Sequence, residues 1–191
     1  MEDLDAIESA YRKVDGKLLI EIKLSSIMQL FNSFDPAPFH EKELDIAAEH
    51  YIVDTVKDFP AKTRFRIAIY LPADVADTER AKKIPHAIQN HFRYKMMVQD
   101  RKFRLRFRHG RTTLLIGLTF LAIALIARQL ISASLSNPFL GQLLADALLV
   151  VGWAAMWEPI TVLLYELWPI IQLKRIYERI SRMEIDILPS W

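Results

Sequence analysis

His40, Glu41, Glu43, Asp45, Glu49, His50 and Asp54 gather imidazoles and carboxylates into one short stretch, and these are the residue types that hold zinc or move protons. A zinc site needs such groups to converge on one point. His40 and His50 are ten positions apart, and no HExxH pair sets two imidazoles one helical turn from each other. Glu43 and His50, seven apart, share a helical face, but two groups do not make a site. A solvated acidic helix face accounts for the same residues. No metal is expected, with His40 and His50 the nearest approach to ligands. The five glycines do not cluster into a phosphate loop, and without cysteine there is no thiolate and no disulfide. No cofactor is expected and no catalytic residue is assigned. The balance lies against an enzyme.

Arg128 and Asp146 offer a different chemistry. Each interrupts a long uncharged stretch, and ionisable groups in such places are costly unless paired or functional. Folding the chain back about residues 134–137 sets Arg128 opposite position 143. Asp146 is then about one helical turn away, ~5 Å along the axis, within arginine's reach. The pair reads as a structural ion lock, with an ion pathway as the alternative. Gln129 and Gln142 can complete its hydrogen bonds.

The elements that must position these groups divide by composition. The chain has 191 residues, 52% hydrophobic, with a net charge of +2, and its charge is segregated. Residues 1–60 carry most of the acid, 80–111 are mostly basic, and 112–171 are nearly uncharged. A net charge near zero argues against a nucleic-acid binder. The start, "MEDLDAIES", is acidic and carries no secretory signal pattern.

Thr112–Ala127 is uncharged, and a second apolar run covers Phe139–Trp157. With Arg128 reaching to the far interface, the first run approaches the ~20 residues of a membrane-spanning helix. Asn137-Pro138 reads as a turn between them. The expected fold is a membrane protein with a two-helix transmembrane hairpin and a small cytoplasmic α/β domain. Basic residues flank the spans, Arg101, Lys102, Arg104, Arg106, Arg108 and Arg111 before, Lys174, Arg175, Arg179 and Arg182 after, with none in the loop. Both termini are therefore expected in the cytoplasm. "RKFRLRFRHGR" becomes a collar on anionic lipid headgroups, with helix favoured over the strand that its alternation also permits. Trp153, Trp157 and Trp168 are expected as interfacial anchors.

In the cytoplasmic part, residues 17–24 and 63–72 alternate as strands, joined by a helix from Glu41 to Lys57 whose inward face is Leu44, Ala48, Tyr51, Ile52 and Val56. Such a connection suggests a parallel pair. The tail near 183–188 alternates too, and either adds a strand to this sheet or frays. The organisation is thus 1–108 cytoplasmic, 109–171 hairpin and interfacial segment, 172–191 amphipathic tail.

At "FNSFDPAPFHEKELD", "HGRTTLLIGLTFLAIAL" and "GWAAMWEPITVLLYELWPI" the chain resembles a family of uncharacterised bacterial membrane proteins with two spans. The likeness covers most of the chain, and the tryptophan-rich segment is its most distinctive part. It implies a bacterial inner-membrane setting and supplies no catalytic residue.

Two function classes follow. The first is a non-enzymatic inner-membrane protein whose cytoplasmic domain binds a protein partner or scaffolds an assembly. The second is a subunit of an oligomeric channel or transporter with Asp146 and Arg128 on the route. An enzyme using His40 and His50 is a third. Small residues Gly117, Ala122, Gly141, Ala145, Gly152 and Ala155 permit close helix approach, so a homo-oligomer is expected.

Overall fold

The computed structural model describes residues 9–39, 42–134 and 138–190. It divides into two compact units, Met1–Val98 with Leu173–Trp191, and Gln99–Gln172.

The first unit is built on a four-stranded sheet of order β1-β2-β3-β4. β1 (Lys13–Val14) pairs antiparallel with β2 (Lys17–Lys23). The hairpin turns on Asp15 and Gly16, both at positive φ, 52° and 72°. Asp-Gly suits this turn because a two-residue hairpin loop needs both central residues left-handed. Beyond β2, Ser26 caps a 3₁₀ turn over Ile27–Leu30, and Gln29 completes a capping box. β3 (Phe65–Pro72) lies parallel to β2, reached through helix α1 (Ile46–Lys57). β4 (Glu184–Ser190) lies parallel to β3, from Arg66↔Glu184 to Pro72↔Ser190. The tail is thus a strand, and every long apolar helix lies in the connection between β3 and β4.

Alternation fixes the sheet's two faces. Leu18, Ile20, Ile67, Ile69 and Leu71 point into the core. Over them pack Ile52, Val53 and Val56 of α1, Ile84, Ala87, Ile88 and Phe92 at the start of α3 (Ile84–Ser134), and Tyr177 and Ile180 at the end of α6 (Leu167–Ile180). Pro85 sits in the first turn of α3, where its missing N–H costs nothing. A four-residue helix, α2 (Ala73–Ala76), links β3 towards it. The opposite face of the sheet is ionic. Lys17 and Arg66 both bond Glu184 at 2.6 Å, Arg66 lies 3.5 Å from Asp186, and the Tyr70 hydroxyl donates to Glu21 at 2.7 Å.

Two local expectations change. The helix expected from Glu41 starts at Ile46, because Asp45 accepts the Ala47 N–H at 2.9 Å as its cap and Leu44 bridges to Phe31. Tyr51, expected inward, is exposed, and Val53 takes its place. The buried residues of α1 are Glu49, Ile52, Val53, Thr55 and Val56, so Ile52 and Val56 of the expected face are kept.

In the second unit α3 runs on as helix through 101–108 and the apolar residues to Ser134. α4 (Pro138–Ala154), α5 (Trp157–Thr161), a π-helical turn (Val162–Glu166) and the start of α6 follow. Two helical stretches are long and apolar enough to cross a membrane, and only 11% and 17% of their most apolar windows is buried. A core helix of a soluble fold would be mostly covered. Here Ile116, Ile126, Leu130, Phe139 and Val150 are exposed.

These helices meet along small residues. Gly110, Gly117 and Ala124 recur every seven positions on α3, the spacing that keeps one seam facing a neighbouring helix. A Cβ on Gly117 would stand 2.9 Å from the Ala155 carbonyl oxygen, and one on Gly152 would stand 2.8 Å from the Ala124 Cβ. The Ala155 contact has a local cause. Pro159, four residues on, has no N–H for that carbonyl, and the helix breaks at 155–156. The bare Cα of Gly117 lets the freed carbonyl lie against α3. Ala122 is exposed, so Ala124 occupies the seam instead.

Candidate functional site

Four side chains from three helices converge inside the first unit. Glu49 on α1 is 8% exposed, and His91 on α3 is 5% exposed. His91 Nε2 lies 3.1 Å from Glu49 Oε2, Lys95 Nζ lies 3.0 Å from the same oxygen, and the Tyr177 hydroxyl donates to Glu49 Oε1 at 3.2 Å. The Leu44 N–H donates to His91 Nδ1 at 3.2 Å. With Nδ1 accepting, the imidazole carries its proton on Nε2, and that N–H donates a hydrogen bond to Glu49. Burial pushes the Glu49 carboxyl up, but the bonds from His91 and Lys95 and the lysine charge outweigh it and hold the group down to about 2. Burial, then the Glu49 charge and bond, push the Tyr177 hydroxyl up to about 12.

This cluster can bind elements together, but it has no free hand for a substrate. Both His91 nitrogens and both Glu49 oxygens are engaged. Its role is to tie the returning helix α6 to α1 and α3.

Beside it opens a cleft of about 590 Å³, within the size of small-ligand pockets. His91, Tyr94 and Met97 of α3 line one wall, and the loop residues Asn32, Phe34, Asp35, Ala37 and Glu43 line the other. Asp35 shapes that loop by accepting the Glu43 N–H at 2.7 Å and the Ala37 N–H at 2.9 Å. These two bonds hold its carboxyl below the usual carboxylate range. Phe34, 94% exposed, and Tyr94 and Met97, about half exposed, give it an apolar edge beside the polar Asn32, Asn90 and Arg93. Such a cleft can seat an apolar group of a partner.

The residues singled out from sequence fall as follows. His40 and Glu41 lie outside the described residues. His50 and Glu43 are exposed, and among the described residues no group of three or more metal-binding side chains converges. Glu49, grouped with the solvated acidic face, is buried, which corrects that reading. Arg128 Nη2 lies 3.2 Å from Asp146 Oδ1. In the collar, Arg104 pairs with Asp100 at 3.1 Å and Arg106 with Glu166 at 3.2 Å. Arg101, Lys102, Arg108 and Arg111 are exposed and have no acidic partner among the described residues. Trp153, Trp157 and Trp168 are all exposed, the first two with rings 5.7 Å apart. Arg179, counted with the flanking charges, instead sits over the Phe65 ring and donates to the Thr63 carbonyl at 2.8 Å.

No family model, no curated protein and no solved structure matches this chain. The site is therefore read from its own geometry.

The Glu49 cluster was missed in the sequence although its signal is there. Glu49 shares the stripe of Ile52, Val53 and Val56, and His91 and Lys95 continue that of Ile84, Ala87 and Ile88. A polar residue at core spacing on two helices is the sign of a buried pair.

Proposed function

We propose that this chain is a non-enzymatic bacterial inner-membrane protein that presents a compact binding module at the cytoplasmic surface. The observation that carries the reading is the exposure of the large apolar side chains on two helices long enough to span. Water gives such a surface no cover, and lipid does. The two helices form the spanning hairpin, and the sheet is completed on the side the chain first left. The cleft edged by Phe34, Tyr94 and Met97 is the surface for a protein partner. The fully engaged His91 and Glu49 support a scaffold over a hydrolytic or metal-dependent enzyme. The direct contact of Arg128 with Asp146 favours a structural pair over a channel lining.

Arg101 and Arg108 lie on the face of α3 opposite Gly110, nine and two residues back along the helix, and Arg111 lies on the flank of that face. That face meets anionic headgroups. Each such charge near an anionic surface contributes on the order of 1 kcal/mol, weakened by salt. Full-length protein with these three arginines changed to glutamine is expected to lose its preference for anionic over zwitterionic lipid, read from the lipid co-purifying in mild detergent. An unchanged lipid profile contradicts the collar. Release of the wild-type chain from membranes by alkaline carbonate contradicts the anchor.

A further inference from the structure

We infer that Arg128 and Asp146 form one half of a four-charge contact between two copies of this chain. The inference rests on the spanning reading above. Arg128 Nη2 donates to Asp146 Oδ1 at 3.2 Å, yet the two side chains remain 43% and 56% exposed. In water such a pair needs no cover. On the same faces of their helices, however, stand Leu125, one turn from Arg128, and Leu143 and Val150, one turn either side of Asp146, all exposed and all apolar. A guanidinium has five N–H donors and a carboxylate about four acceptor positions, so one bond leaves most of that capacity facing hydrocarbon.

Arginine alone can reach a headgroup by extending its stem. Asp146 cannot. α4 begins at Pro138, so Asp146 lies about 12 Å along the helix from its first residue, and its side chain is short. Arg128, bonded to it, is held at that depth. Polar cover must therefore come from a group at the same level of the membrane. A second copy carries the same pair at the same level by construction, which no other partner is bound to do. A two-fold axis along the membrane normal turns the pairs face to face, with Arg128 of each copy against Asp146 of the other. Each ion then has two counter-ions. The small-residue seam cannot serve this purpose, because Gly110, Gly117 and Gly152 are filled by contacts within the chain.

The test exchanges the charges. In R128D/D146R the pair within one chain is kept with its sign reversed. Wild-type and exchanged full-length chains, carrying different fluorophores, are reconstituted together in liposomes, and energy transfer reports pairing. Each chain is expected to pair with itself, while mixed pairs fall at least tenfold below their statistical share, since every contact between unlike copies sets like charges together. R128L/D146L, which tests the contact without relying on the reversed pair folding, is expected to stay in the membrane as a monomer. Mixing at the statistical ratio, or undiminished pairing of R128L/D146L, overturns the contact. A wild-type chain that is monomeric in the membrane overturns it too. A wild-type chain that alkaline carbonate releases from the membrane overturns the spanning reading and the contact with it.

Discussion

Glu49→Leu lowers the stability of the first unit by about 3–5 kcal/mol, the range for breaking a buried ionic contact from one side. The loss comes from the groups left behind. His91 Nε2–H and the Tyr177 hydroxyl lose their acceptor in a buried place, at about 1–3 kcal/mol each. Lys95, whose side chain is 29% exposed, turns to water at smaller cost. Converting the whole cluster to apolar groups, Glu49→Leu with His91→Phe and Tyr177→Phe, recovers part of the loss, because no orphan remains. Acid has the same target. The Glu49 carboxyl is held at about 2 in the folded protein against an ordinary 4.5. Its contribution is complete above pH 4.5 and drains away as the pH falls towards 2, by about 3 kcal/mol in all. Glu49→Gln removes that acid-sensitive step while keeping the side-chain shape. Amide exchange along α1, followed between pH 7 and pH 2, reads both effects. A Glu49→Gln protein with an undiminished acid transition places the transition elsewhere.

Removing residues 184–191 is expected to unfold the first unit outright. β4 pairs with β3 along its length, and its loss opens that backbone edge at about 1 kcal/mol per hydrogen bond. Ile185 and Ile187 leave the core, and Arg66 loses both Glu184 and Asp186. The sum approaches the whole stability of a small domain, about 5–15 kcal/mol. Amide protection in β3 should collapse and the unit should become open to protease. Native protection in the shortened chain shows that β4 is dispensable.

Alternation made β2, β3 and β4 legible as strands, and Asp15-Gly16 marked the hairpin. What stayed open was whether β4 joins the sheet or frays: its partner Arg66 stands more than a hundred residues away, and local pattern does not decide over that distance. "RKFRLRFR" alternates like a strand yet is helical, because it lies inside one helix running from Ile84 to Ser134. The same charged residues serve either period. The Arg128–Asp146 contact followed from counting back along two helices. The Glu49 cluster did not, because acidic neighbours drew attention to solvent while the spacing of Ile52, Val53 and Val56 pointed to the core.

In the proposed topology the chain crosses the membrane twice and closes its sheet on the side it started from. The protein has no cysteine, so single cysteines at Ser9, Ser134 and Ser190 report location without background. With a membrane-impermeant maleimide on intact bacteria, Ser134→Cys is expected to label at once. Ser9→Cys and Ser190→Cys are expected to label only after the membrane is opened. Labelling of either end in intact cells, with residue 134 protected, would contradict this topology.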